Sequence, residues 1–350
     1  GGRAAARGRA AGRCPRGRRH HRGQQAGRAG RAPGGRAPVG YTGQRPAAPL
    51  HRPAGHRRRT AARHRASAGQ RHKHETLKAY EALTAKEKIE FDRHSTAELL
   101  SQFLHGEQGA LLVASQLASC APTYNAKLYA ASQTFDEARH VEVFNKYLQD
   151  KIGIHYPINP SLKLLLDKIL TDERWDLKFI GMQIIIEGLA LAAFGMLKSI
   201  TTDPLLKQLL HYVIRDEARH VTFGINYLED FIKTLSPEEV QERAEFAYEA
   251  CVISRERLIN TKAEQKYLKM NPEEAREFQM STASFALFRN FLFSRVIPNL
   301  SRIGLLTEEI RPKFEALGLL EYEHAPDDFE CDWAELQKPL ESFDEIPEAV

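Results

Sequence analysis

From about Leu77 onward, Leu, Ala, Glu, Lys and Ile recur at three-to-four-residue spacing with few alternating β-branched positions, the pattern of amphipathic helices. Prolines punctuate these runs at Pro122, Pro157, Pro160, Pro204, Pro237, Pro272 and Pro298, mostly beside Ser, Thr, Asn or Asp. At 236–239, Ser-Pro-Glu-Glu reads as an N-cap, a proline in the first turn, and acids that complement the helix dipole. The pattern predicts helices near 95–120, 124–150, 173–200, 204–235, 237–268 and 273–296, with a shorter one near 307–316. An all-α protein is expected.

Phe179 to Leu197 is apolar for 19 residues except at Gln183 and Glu187, close to a membrane-spanning length. A carboxylate at mid-bilayer is costly, and neither flank carries a strong basic cluster. The middle of a large helical bundle is the preferred reading, with no membrane association.

Composition divides the chain near residue 72. Residues 1–72 hold 19 of its 50 Lys and Arg residues, all of them Arg, and no acid. Residues 73–350 keep 31 basic against 45 acidic groups, a net of −14, which argues against nucleic acid as a partner. The large apolar residues of the first segment, Val39, Tyr41 and Leu50, cannot build a core, so disorder is expected there. A basic nucleic-acid-binding arm is one reading of it. An organelle transit segment is another, although Ser67 is its single serine and no amphipathic period is visible. The preferred reading is that the segment is not natural protein: the chain opens with Gly, its first Met is Met182, and GC-rich DNA gives such a composition in a wrong frame.

Cys14, Cys120, Cys251 and Cys331 lie far apart and form no CxxC pair, which excludes a zinc ribbon, a rubredoxin-like site and a thioredoxin motif. No disulfide framework is expected, and a reducing, cytoplasmic compartment is. The expected organisation is the segment 1–72, a bundle over 73–235, C-terminal helices over 236–316 packed on it, and an acidic tail over 317–350. The tail acids Asp327, Asp328, Glu330 and Asp332 read as solvated surface.

The string DEARHV occurs at 136–141 and again at 216–221, offset by 80. The register continues through Tyr147 and Tyr227, Asp150 and Asp230, Ile152 and Ile232, and it pairs Glu107 with Glu187. Glu137 and His140 stand at i and i+3, on one helix face, as do Glu217 and His220. Apolar residues continue both faces, so both are buried. The turn near Pro122 is fifteen residues from Glu107 and from Glu137; Thr202 is equally far from Glu187 and Glu217. Residues equidistant from the turn of an antiparallel hairpin lie opposite one another. Two packed hairpins therefore place four carboxylates and two imidazoles at one level.

Such a buried set cannot stay as bare anions, because desolvation and mutual repulsion push carboxylates toward the neutral form. Two divalent cations would balance it, with two Glu bridging and two Glu and two His terminal. Taken singly, Glu107 or His140 reads better as an ion-paired or core residue; the six together do not. Asp136 and Asp216 are expected to accept the second imidazole N–H of the opposite half. Arg139 and Arg219 fit either a pairing with those aspartates or a plain intrahelical pair. Tyr147 and Tyr227 read as packing rather than radical carriers. Gly109, Ala110, Gly188 and Ala190 leave room beside the six residues, or else allow close helix contact.

The doubled Glu and Glu-x-x-His pattern resembles the ferritin-like di-iron or di-manganese carboxylate superfamily, over roughly residues 95–235. The resemblance implies a ferritin-like four-helix bundle with additional C-terminal helices. It implies two iron ions, with Mn/Fe or di-Mn as other pairs suited to oxygen and nitrogen ligands. Their ligands would be Glu107, Glu137, His140, Glu187, Glu217 and His220. The implied activity is that of an O2-activating oxidase or oxygenase with a small organic substrate and an external electron donor. The residues after the bundle would wall a pocket or form a homodimer surface.

Within the superfamily, the DExRH form is similar to hydroxylase subunits of bacterial multicomponent monooxygenases, which are much longer. Arylamine N-oxygenases carry a seventh ligand, a His four residues before the last Glu; Val213 stands there, with His211 two residues off, which counts against that activity. Radical-generating ribonucleotide reductase subunits commonly have a Tyr where Phe144 stands. Iron-handling ferritins are shorter, and rubrerythrins add a CxxC domain that this sequence lacks.

Overall fold

The computed structural model describes residues 78–328 together with Ala334, Leu336 and Lys338. The segment 1–72, Glu330 and Asp332 lie outside the described residues. After a single turn at Lys78–Glu81 the first long helix, α1, runs Ala85–Cys120. It starts ten residues before the predicted point because Thr84 and Glu87 form a reciprocal capping box ahead of a polar stretch with little apolar period. α2 (Tyr124–Tyr147) is capped by Thr123 and ends in a π-helical turn, Leu148–Ile152. Gly153 closes that turn at φ 71°, a left-handed conformation suited to glycine.

α3 (Pro160–Thr171) was not predicted, because Pro157 and Pro160 read as a connector. Asn159 caps it, and Pro160 occupies the first turn, where its missing N–H has no consequence. The next helix, α4, spans Trp175–Ile200. It is interrupted by π-helical turns at Ile180–Ile186, immediately before Glu187. α5 (Pro204–Ile232) starts from an Asp203 cap. These four long helices, α1, α2, α4 and α5, form the bundle as two hairpins, α1–α2 and α4–α5. The chain is all-α among the described residues, with no β-strand.

α6 (Pro237–Arg257) begins with the expected Ser236 cap and Pro237. The single helix expected over 237–268 is in fact α6 and a short α7 (Lys262–Tyr267). Tertiary bonds claim the backbone between them: Asn260 N–H donates to Gln279 Oε1 at 3.0 Å, and Asn159 Nδ2 donates to the Ile259 carbonyl at 3.2 Å. The helix expected over 273–296 is likewise two, α8 (Pro272–Ser281) and α9 (Ala283–Arg302), divided where the Thr282 side chain caps Phe285 N–H. Pro298 lies inside α9 rather than ending it, in a run whose Val296, Ile297 and Leu300 are buried. α10 (Arg311–Ala316) follows.

α4 is long and apolar enough to cross a membrane, but 83% of its most apolar window is buried within the protein. It is the central core helix, covered by α5 and α9. Two glycines permit close contacts that matter here. A Cβ at Gly109 would lie 2.3 Å from the Leu166 side chain of α3, and one at Gly224 would lie 2.5 Å from Gln183 Cβ. Gly109 therefore serves helix packing.

Two expectations need correction. Asp328 is not solvated: it is fully buried, accepting from Arg295 Nη1 at 2.7 Å and Asn299 Nδ2 at 2.9 Å. These two partners compensate its desolvation, and its own N–H also donates to Asn299 Oδ1 at 3.0 Å. Asp327 pairs with Arg302. Second, Cys120 is disulfide-bonded, where no disulfide was expected, while Cys251 is free and buried.

Candidate metal centre

Glu107 comes from α1, Glu137 and His140 from α2, Glu187 from α4, and Glu217 and His220 from α5. All six converge, and none is more than 5% exposed. They form two overlapping quartets, Glu107, Glu137, His140 and Glu217, and Glu137, Glu187, Glu217 and His220. Within each quartet one ligand atom per residue lies within 4.8 Å of the others. Glu137 and Glu217 belong to both.

Each imidazole presents Nδ1 to the carboxylates. His140 Nδ1 is 3.0 Å from Glu217 Oε1 and 3.2 Å from Glu107 Oε2; His220 Nδ1 is 3.1 Å from Glu137 Oε1. Each Nε2 faces the aspartate of the other half, His140 to Asp216 Oδ2 at 3.2 Å and His220 to Asp136 Oδ2 at 3.4 Å. With the aspartates accepting, Nε2 carries the proton and Nδ1 is the donor atom toward the cluster. The arginines do both things considered for them. Arg139 bonds Asp136 on its own helix at 2.5 Å and Asp216 across the bundle at 3.0 Å. Arg219 bonds Asp216 at 2.6 Å and Asp136 at 3.2 Å.

Electrostatics show the strain of collecting these groups without cations. Burial, then the Glu217 charge, hold Glu107 well above the usual carboxylate range. Burial raises Glu187 likewise, with His220 opposing and Glu137 adding to it. Burial disfavours charge on both imidazoles, yet the surrounding carboxylates outweigh it and raise them well above their ordinary value. Burial also opposes ionisation of Glu137, but His220 and His140 keep it below its ordinary range. Among the described residues, Glu137 Oε2, Glu187 Oε2 and both Glu217 oxygens are buried with no hydrogen-bond partner. Orphaned carboxylate oxygens beside imidazole nitrogens are the donor set that iron or manganese takes.

Several neighbours escaped the sequence reading. Gln133 Nε2 donates to Glu187 Oε1 at 2.6 Å and to Glu137 Oε1 at 3.2 Å, and Gln183 Nε2 donates to Gln133 Oε1 at 3.0 Å. Gln133 lies one turn before Glu137 on the same face, and Gln183 was visible as a polar interruption of an apolar run. Tyr129 gave no signal; its ring stacks on Phe223 at 3.7 Å and stands edge-on to His220 at 6.5 Å. The paired tyrosines are packing residues, as expected. The Tyr227 hydroxyl is 2.7 Å from Thr123 Oγ1, the cap of α2, and Tyr147 bonds Asp203, the cap of α5. Val213 is buried, and His211 turns away to Lys198 and the Lys338 carbonyl.

An inner chamber of about 50 Å³ opens onto the cluster. Glu107, Glu187 and Glu217 line it with apolar residues, including Ala110 and Ala190. An outer groove of about 740 Å³ adjoins the chamber, with Leu99, Phe103, Ala193, Leu258, Asn260 and Phe288 lining both.

Bundle and cluster together define a ferritin-like protein whose buried carboxylates and imidazoles fit a di-iron site. Comparison with protein families narrows this class. Residues 72–304, about two thirds of the chain, match the family described as P-aminobenzoate N-oxygenase AurF, and the chain belongs to that di-iron oxygenase family. It is thereby an oxidoreductase of the monooxygenase type. The chain belongs to this family with Val213, not His, four residues before Glu217. A search of curated proteins found no match.

Proposed function

We propose that the protein is an O2-dependent di-iron oxygenase of a small organic substrate. Glu107, Glu137, His140, Glu187, Glu217 and His220 would hold two iron ions, with Glu137 and Glu217 common to both groups of ligands. The sharing of Glu137 and Glu217 between the two quartets is the observation that carries this reading. Two ferrous ions bound there would supply electrons for the reduction of dioxygen. The chain's own part is to fix and shield the site. Asp216 and Asp136 orient the imidazoles, Gln133 orients Glu187, and the apolar chamber wall excludes water. An external electron donor would restore the reduced state, and a homodimer is part of the same reading.

The family name makes aromatic amines such as p-aminobenzoate the first substrates to try. The decisive measurement is an anaerobic Fe(II) titration of the full chain. A sharp endpoint at about two ions per chain is expected from a six-ligand bundle of this type. No tight binding of Fe(II) would overturn the proposal.

A further inference from the structure

Along α1, Ser95, Leu99, Phe103 and Glu107 follow one another at four-residue steps and so share a face. Glu107 lines the inner chamber, Leu99 and Phe103 line chamber and outer groove alike, and Ser95 lines the groove alone. Ser95 and Glu107 are about 18 Å apart along the helix axis. The end of the groove away from the cluster is polar and buried. Glu264, from α7, is the one charged residue that lines the groove among the described residues. It is 5% exposed, and its Oε2 has no hydrogen-bond partner among the described residues. The Ser95 Oγ is buried without a partner in the same way. Glu98, one turn on from Ser95, is also buried; its Oε2 accepts from Lys262 N–H at 2.9 Å, which seats the start of α7 on α1. Burial pushes Glu264 up to about 7, with its own backbone N–H opposing and Glu98 adding to the rise. Other polar groups of the groove are used within the fold. Asn260 Nδ2 donates to the Leu258 carbonyl at 3.2 Å, Gln279 Oε1 accepts from Asn260 N–H, and Thr282 Oγ1 caps α9.

We propose that the groove end at Glu264 and Ser95 is a binding subsite for an alkylammonium group, the charged head of an amphiphile whose apolar body lies along Leu99 and Phe103. Its role as a substrate subsite rests on the oxygenase reading above. A buried carboxylate with a second one near it is unfavourable as a bare anion, and an ammonium compensates the charge. The same group brings three donors, enough for both Glu264 Oε2 and Ser95 Oγ. A neutral hydroxyl brings one donor and no charge, so the site selects for the cation. Because the head sits at the groove end and not in the chamber, it is not the group that is oxidised. The opposite, apolar end of the molecule points along α1 toward Glu107.

The test titrates the full chain as isolated with octylammonium and with octan-1-ol by calorimetry, and measures bound metal on the same samples. The expected result is at least tenfold tighter binding of octylammonium. Glu264→Gln should abolish that preference, and Glu264→Asp, which keeps the charge but shortens its reach, should retain only part of it, both with wild-type metal content. No ammonium preference in the wild-type chain, or one that survives in Glu264→Gln, would overturn the proposal. A preference left unchanged in Glu264→Asp would overturn it even where Glu264→Gln fails to fold. Two bound metals without ammonium preference would remove the subsite and leave the oxygenase reading. A Glu264-dependent preference in a chain that binds no metal would uphold the subsite and remove that reading.

Discussion

The two halves of the metal centre have matching ligands and different surroundings. Around Glu187 and His220 the neighbours are amides, with Gln133 and Gln183 bonded in series to the carboxylates. The 80-residue offset puts Val213 and Phe103 at the equivalent places around Glu107 and His140. The π-helical turns that precede Glu187 have no counterpart before Glu107, where α1 is regular. Duplication thus preserved what coordinates and let the shell diverge. One half is braced by hydrogen bonds, and the other is lined by apolar side chains. A π-helical insertion beside a ligand is a common way to re-aim a side chain without changing its neighbours in sequence.

The harshest way to break this symmetry is to remove one carboxylate at a time and count metal. Glu137→Ala or Glu217→Ala should take bound iron from two ions to none, because each serves both quartets, while Glu107→Ala or Glu187→Ala should leave one. Equal losses from all four variants would contradict the bridging assignment. A milder change addresses the shell. Gln133→Leu should weaken one of the two metal equivalents by roughly tenfold or more, the usual effect of losing a group that orients a ligand. Val213→Ala should move neither equivalent. If both variants shift both metals alike, the halves are not distinguished by their shells.

The smallest effect lies nine residues before each bundle glutamate, where the halves bury opposite charges: Glu98 in one and Lys178 in the other. Burial pushes Glu98 up to about 7, with the Lys262 N–H opposing, so the folded chain keeps a proton that the unfolded chain releases above 4.5. Its contribution to stability therefore falls as pH rises from about 4.5 to 7. Burial pushes Lys178 down to about 8, so there the unfolded chain binds more protons, and stability rises from about pH 8 to 10.5. Each slope amounts to about 1–3 kcal/mol across its window. Denaturation midpoints against pH should lose the acid-side slope in Glu98→Gln and the alkaline slope in Lys178→Gln. Glu264, also held near 7, leaves a residual acid-side slope in the first variant. A slope of the same sign at both residues would refute the assignment.

The bundle and its six converging residues could be read before any coordinates because a repeat carries its own geometry. Equal distances from two turns put Glu107 across from Glu137, and an i, i+3 spacing put each His beside its Glu. Local chemistry also announced Ser236-Pro237 as a helix start. What stayed hidden depended on contacts between distant segments. The break before α7 depends on Gln279 and Asn159, and the burial of Asp328 depends on Arg295 and Asn299, none of which is near in sequence. An acid in the first turn of a helix ordinarily complements the dipole, so nothing marked Glu264 as lining a groove. The chain within α4 shows no proline or glycine pair that would announce its π turns.

The crossed contacts carry one more consequence. Asp136 holds His220 while Asp216 holds His140; Tyr227 ties the start of α2 while Tyr147 ties the start of α5. These four contacts form two reciprocal pairs, the signature of a two-fold axis running through the middle of a single chain. A polypeptide containing just one hairpin would own three of the six converging groups. It could complete the centre only by embracing a copy of itself, so the molecule is, in its contacts, a self-associating pair that covalent linkage through α3 has made permanent.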